Sequence, residues 1–273
     1  MFNSQKFIED CLAVREQSPL VHNITNYVAM NIAANGLLAI GASPLMSFCP
    51  EEMEEIAAIS SAIAINIGCL DQQEIKAAKL VAAAAGKFGK PWVLDPVGAG
   101  ASKIRTETAA ELVRDFHPTV VRGNASEIIA VASALGIKAE NNNASRGVDS
   151  SADSNDAVEC AKALATKMNT VVSVSGPVDY VTDGQRLGSI SNGSPLMPKV
   201  TALGCTATAL TGAFIAVEKD AYYAALNTMA LMGVAGDIAA EKTGDEGTGT
   251  FAVKFIDALS TFDAEASAAR VKE

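Results

Sequence analysis

The chain has 273 residues, 49% of them hydrophobic and 19% charged, which suits one large globular domain. A formal net charge of −10, with no cluster of lysines or arginines, excludes a nucleic-acid surface. The same negative charge means that a nucleotide substrate would come with a divalent cation. Cys11, Cys49, Cys69, Cys160 and Cys205 are scattered, and only His22 and His117 offer imidazole, so no spacing suggests a structural metal. Reduced thiols in a cytoplasmic protein are the economical reading.

Met1 to Gln17 alternates charged and apolar residues and predicts an amphipathic helix, not a signal peptide. Ser18 to Pro50 carries no charged residue. A membrane span needs ~20 mostly apolar residues in a row, and Asn23, Asn26, Asn31, Asn35, Gly36, Gly41 and Pro44 interrupt this stretch too often. It reads as buried interior. Ala62 to Gly68 is the first clear strand, followed by an alanine-rich helix from Glu74 to Phe88 that Gly89 ends. Pro91 to Pro96 is a second strand, with a helix from Thr106 to Asp115. Thr119 to Gly123 is a third, followed by a helix from Ser126 to Leu135 with Gly136 as its C′ residue. Lys138 to Asn155 is polar and reads as a surface loop. A helix from Asp156 to Met168 leads into a fourth strand, Thr170 to Ser175.

Asp179 to Thr182 and Gln185 to Ile190 then look like a hairpin around an Asp183-Gly184 turn, and Thr206 to Leu259 is almost wholly helical. Continuous apolar strands alternating with helices predict an α/β fold: a mostly parallel sheet with helices on both faces, in one domain spanning 1–273. In such a sheet ligands sit outside the carboxyl ends of the strands. That rule collects Asp95, Arg122-Gly123-Asn124 and Ser175-Gly176 on one edge.

Asn124-Ala125-Ser126-Glu127 is what a helix N-cap with its capping-box partner looks like; it also offers an amide and a carboxylate to a magnesium–phosphate site. Asp95 is either a turn aspartate before Pro96 or a second such carboxylate. Arg122 can fork onto phosphate oxygens or pair with an acidic neighbour. Gly98-Ala99-Gly100 permits close backbone approach to a ligand. Neither G-x-x-x-x-G-K-[ST], nor G-x-G-x-x-G after the first strand, nor G-x-S-x-G is present, which disfavours a P-loop enzyme, a dinucleotide-binding domain and an α/β-hydrolase.

Thr201-Ala202-Leu203-Gly204-Cys205-Thr206-Ala207-Thr208 sets a thiol just before an apolar helix, Ala207 to Val217. Helix N-termini gather anions and lower a thiol's pKa, so this turn can hold phosphate beside a reactive sulfur. The alternative is a small buried cysteine at a tight turn. Val21-His22-Asn23-Ile24-Thr25-Asn26-Tyr27 packs polar side chains into an apolar region, as a satisfied network or a ligand face. Met46 is either core or a thioether against an aromatic heterocycle.

These motifs resemble the hydroxyethylthiazole kinase family of thiamine salvage, a branch of the ribokinase-like superfamily. The resemblance runs from Pro19 to about Leu259 and rests on Val21 to Asn26, Leu94 to Gly100, Arg122 to Glu127 and Gly204-Cys205. It implies a three-layer αβα domain that phosphorylates the primary alcohol of 5-(2-hydroxyethyl)-4-methylthiazole with ATP and Mg²⁺. It assigns Arg122, Ser175 and Asn124 to ATP, and Asp95 and Glu127 to the metal. Met46, Asn26, Ala202 and Gly204 fall to the alcohol, and Cys205 to proton transfer. It further implies a homotrimer with sites between subunits, in which Asn26 and Met46 serve a neighbour's Cys205. Ala202 departs from the glycine many members carry, and ribokinase-like sugar kinases have an aspartate base where this chain has Cys205. Kinases for other small alcohols and a non-catalytic nucleotide-binding regulator are the rival readings.

Overall fold

Successive side chains of each buried strand point to opposite faces of the sheet, and that alternation divides the apolar residues between two helical layers. The computed structural model describes residues 1–137 and 154–273. Its strands are β1 (Leu20–Ile24), β2 (Ser43–Met46), β3 (Ala62–Asn66), β4 (Trp92–Asp95), β5 (Val120–Asn124), β6 (Val171–Ser175), β7 (Asp179–Thr182) and β8 (Leu187–Ile190). They form one eight-stranded sheet in the order β2-β1-β3-β4-β5-β6-β7-β8. β1 to β6 are parallel, and β7 and β8 add an antiparallel edge.

One face packs α1 (Ser4–Gln17), α2 (Met30–Ile40), α8 (Leu203–Val217), α9 (Ala221–Thr243), α10 (Thr248–Ser260) and α11 (Ala264–Ala268). The other packs α3 (Met53–Ile59), α4 (Gln72–Phe88), α5 (Lys103–Phe116), α6 (Ala125–Ala134) and α7 (Ser154–Met168). Ala62 and Ala64 of β3 join the first layer and Ile63 and Ile65 the second; Val93 and Leu94, and Val120 and Val121, divide likewise. The sequence-derived α/β architecture is thus the observed one.

The differences have local causes. β1 and β2 precede the first strand expected from the sequence, because asparagines and glycines recur throughout the uncharged Ser18–Pro50 stretch and single out no boundary between strand and helix. Nor is that stretch all interior. Tyr27 and Val28 are 62% exposed and Leu38 60%. β2 is the half-buried edge strand, a place where Pro44 costs no ladder hydrogen bond. The β7–β8 connection has four residues, not two, since Thr182 pairs with Leu187 and the Asp183 carboxylate accepts from the Gln185 and Arg186 N–H groups. Residues 138–153 of the expected polar loop lie outside the described residues, and Ser154 and Asn155 already belong to α7.

The strand order reverses between β1 and β3, and α8 lies over that switch point. Small residues set its distance. A Cβ at Gly212 would stand 2.8 Å from Val21 Cγ1, and one at Gly36 would stand 2.7 Å from Thr206 Cγ2. α8 therefore has a glycine against β1 and presents Thr206 to a glycine of α2. Gly212→Val should overpack the α8–β1 contact and lower unfolding free energy by about 1–3 kcal/mol, measured by urea denaturation.

Candidate active site

The alternation that builds the core also aims the polar residues at the strand ends. Asn66 continues the Ala62-Ala64 face, Asp95 that of Val93, and Arg122 that of Val120, so all three face α8. Asp95 is 1% exposed and Asn66 4%. Asn66 Nδ2 donates to Asp95 Oδ2 at 2.8 Å, and Thr208 Oγ1, from α8, donates to the same oxygen at 2.7 Å. Arg122 Nη1 stands 3.8 Å from it. Burial nevertheless dominates and pushes the Asp95 carboxyl up to about 6, against the pull of Arg122.

α8 begins at Leu203, four residues before the start read from the sequence, and Cys205 is inside its first turn. The small, flexible Leu203-Gly204-Cys205 segment carries no helical signature, but the tertiary contacts of α8 hold it in the helix. The N-cap is Ala202, in the left-handed region at φ 67°, and it supplies no side-chain cap. The first N–H groups of α8 are thus left to a ligand. Cys205 Sγ accepts from Asn26 Nδ2 at 3.3 Å within the same chain. The thiol's pKa is raised, not lowered as the helix start alone suggested. Burial is the larger cause and the nearby Asp95 adds to it, outweighing the Asn26, Asn66 and Arg122 contacts.

Arg122 Nη1 donates to the Gly204 carbonyl at 3.0 Å and so holds the α8 turn to the sheet. Its side chain is buried, and Nε has no partner among the described residues. Ser175, at the end of β6 and paired with Asn124, places its hydroxyl 3.4 Å from the Gly123 carbonyl. Because β7 is antiparallel, its first residue, Asp179, reaches the same edge. There it accepts from the Gly176 N–H at 3.0 Å, and burial pushes its carboxyl up to about 6.

Asn124 and Glu127 do form a capping box. Asn124 Oδ1 accepts from the Glu127 N–H at 2.9 Å, and Glu127 Oε2 from the Asn124 N–H at 2.9 Å. Glu127 Oε1 accepts from the Gly98 N–H at 2.9 Å, tying the glycine loop to α6. The capping role leaves room for the other, because a carboxylate oxygen has acceptor capacity for more than one donor. Magnesium takes oxygen ligands, keeps several waters and uses one or two carboxylates with substrate phosphates. Glu127 adds to the upward push on Asp95, so their charges act on each other across this edge. Among the described residues no group of three or more His, Cys, Asp or Glu forms a protein-only cage. The donor set fits an ion bound through water and phosphate.

The polar run of β1 is only partly a satisfied network. Asn23 Nδ2 donates to the Val21 carbonyl at 2.9 Å and His22 Nε2 meets the Ser47 carbonyl at 2.9 Å, while His22 Nδ1 and Thr25 Oγ1 are buried without partners among the described residues. Met46, ending β2, packs half-buried against the α8-side core. Sequence reasoning missed Asn66, Thr208, Asp179 and Arg105. Arg105 donates from α5 to the carbonyls of Ile67 (2.7 Å), Val97 (3.0 Å) and Gly68 (3.0 Å), clamping two strand-end loops. Asn66 had a signal, as the polar side chain within the apolar Ala62–Gly68 run; the observed β3 ends on it. Thr208 and Arg105 had none, since their partners come from distant elements.

The hydroxyethylthiazole kinase family model matches residues 12–265. The hydroxyethylthiazole kinase of Brachyspira hyodysenteriae is 48% identical over 273 residues, covering 100% of this chain and 97% of that one. The solved hydroxyethylthiazole kinase protein from Pyrococcus horikoshii superposes with a TM-score of 0.88 at 38% identity, covering 98% of each chain. The pyridoxal kinase from Staphylococcus aureus in complex with AMP-PCP superposes with a TM-score of 0.59 at 15% identity, covering 81% of this chain and 88% of that one, a likeness of fold alone.

Two substitutions test this geometry. Asp179 ionises only near pH 6 when folded but near 3.8 when unfolded, so its carboxylate costs stability increasingly as pH rises from about 4 to 6, saturating near 3 kcal/mol. Asp179→Asn should therefore raise Tm by several degrees at pH 8 and by almost nothing at pH 4, read by calorimetry. Ala202→Gly should remove left-handed strain and raise unfolding free energy by about 1 kcal/mol in denaturant titrations.

Proposed function

The chain belongs to the hydroxyethylthiazole kinase family and has its ribokinase-like three-layer fold, and on that premise we propose that it transfers the γ-phosphoryl group of ATP to the primary alcohol of 5-(2-hydroxyethyl)-4-methylthiazole. The reading rests on one observation above all. The uncapped first turn of α8 presents its N–H groups beside a buried arginine whose Nε has no partner among the described residues. Free helix N–H groups and a guanidinium are the donors a transferring phosphoryl group requires.

Phosphoryl transfer depends mainly on in-line positioning and charge neutralisation. Arg122 and the α8 turn orient the phosphates, with Ser175 and Asn124 further along the same edge. Magnesium, held through water by Asp95 and Glu127, would supply further neutralisation of phosphate charge. Asn26, Met46 and the backbone from Ala202 to Gly204 bound the acceptor side and hold the alcohol against Cys205. Burial keeps that sulfur largely a thiol at rest, so it orients the hydroxyl in every molecule and takes its proton in the thiolate fraction, which grows with pH. We take residues 1–273 as one kinase domain, since a single sheet draws strands from both sides of the 138–153 segment.

The homotrimer and the cytoplasmic location belong to the same proposal. Tyr27, Val28 and Leu38 expose apolar surface on and beside α2, which packs against edge strand β2, a surface suited to a second copy of the chain. Free thiols, including the exposed Cys49, suit a reducing compartment. Among the described residues no helix is long and apolar enough to cross a membrane.

Three measurements check the reading. ADP release with Mg²⁺-ATP across a panel of small alcohols should give the highest kcat/KM with the thiazole alcohol; ATP binding without turnover on any alcohol would contradict it. Cys205→Ala should lower kcat about tenfold or more, whereas Cys205→Asp should retain or raise it. An alanine variant within a fewfold of the parent ends the base role. Light scattering should report three chain masses per particle.

A further inference from the structure

Two carboxamides lie head to tail between the Asp95 carboxylate and the Cys205 sulfur. Asn66 Nδ2 donates to Asp95 Oδ2 at 2.8 Å, while its Oδ1 accepts from the Gly68 N–H at 2.9 Å and from Asn26 Nδ2 at 3.0 Å. Asn26 Oδ1 accepts from the Ala29 N–H at 3.0 Å, and its Nδ2 also donates to Cys205 Sγ at 3.3 Å. A backbone N–H thus decides which end of each amide is oxygen. Reversing Asn66 would set its NH₂ against two donors and its oxygen against a carboxylate. Gly68 permits the arrangement, since a Cβ there would stand 2.6 Å from Asn26 Nδ2 and 2.8 Å from Asn66 Oδ1.

We propose that Asn66 is a positioning residue for the phosphoryl transfer: by fixing the Asn26 carboxamide it keeps an N–H donor on the Cys205 sulfur, so that the sulfur is an acceptor aligned for the substrate alcohol. Asn66 acts on the sulfur through Asn26 and through its own carboxamide contact with Cys205. The inference rests on the phosphotransferase reading above. It adds a direction to the hydrogen-bond chain. Were the Asn26 amide free to turn, its oxygen would accept a hydrogen bond from the thiol, and the sulfur would lose the N–H donor that favours its thiolate, the form that takes the alcohol proton.

The test is a double-mutant cycle. Asn66→Leu is made in the parent and in Cys205→Ala, and kcat, KM for both substrates and Tm are measured. In the parent, kcat should fall about tenfold or more, the loss expected of one hydrogen bond to a reacting group. In Cys205→Ala the same substitution should cost clearly less, the remainder coming from the donor that Asp95 also loses. Asn66→Ser runs through the same cycle, so a folding failure of the leucine variant leaves the test intact. As a second readout, iodoacetamide alkylation of the Cys205 peptide is followed against pH by mass spectrometry. Its profile should move to higher pH in Asn66→Leu or Asn66→Ser and in Asn26→Leu. Equal kcat losses in the two backgrounds, or an unshifted alkylation profile, overturn the inference. If the parent shows no alcohol-dependent ADP release, the kinase reading fails, and the alkylation profile still decides the role of Asn66.

Discussion

A carboxylate with almost no access to water organises this molecule's ligand edge. Burying an ionised carboxyl is costly unless hydrogen bonds and opposite charge replace its hydration. Asp95 obtains that replacement from elements far apart in sequence: Asn66 from β3, Thr208 from α8 and Arg122 from β5. Meeting its needs ties two strand ends and one helix to a common point. Arg122 extends the tie by holding the Gly204 carbonyl. Such a buried pair is weak as a stabilising device. Its effect is to fix the α8 first turn over the switch point of the sheet.

That constraint explains the cysteine's character. A thiol at a helix start, in contact with water, would ionise readily. Here burial and the neighbouring Asp95 charge act the other way and raise its pKa. The helix start still offers unpaired N–H groups, because Ala202 has no capping side chain and sits in a strained left-handed conformation. Phosphate recognition and thiol chemistry are therefore separable in this turn. The backbone serves the first, and the Asn26 carboxamide conditions the second.

Much of this was legible in the sequence. Alternating apolar runs and helices gave the sheet, and the carboxyl-end rule placed Asp95, Arg122, Asn124 and Ser175 on one edge. The capping pattern of Asn124 and Glu127 was read correctly at the level of geometry. What escaped was whatever depends on distant partners. β1 and β2 were hidden because asparagines and glycines recur too evenly through the uncharged stretch to separate strand from helix. The beginning of α8 was placed late because Gly204 and Cys205 are indifferent helix formers held there by packing. Asn66 passed as one residue inside the expected Ala62–Gly68 strand, since its meaning appears only when Gly68, Asn26 and Asp95 surround it.

The central claim is that phosphoryl transfer to an alcohol takes place at the α8 first turn. Phosphorus NMR of the chain incubated with ATP, Mg²⁺ and 5-(2-hydroxyethyl)-4-methylthiazole tests it most directly. The account predicts a phosphomonoester resonance growing in equal amount with ADP, with three-bond coupling to the methylene protons of the ethyl group. ADP accompanied only by inorganic phosphate, or no consumption of ATP, would contradict it.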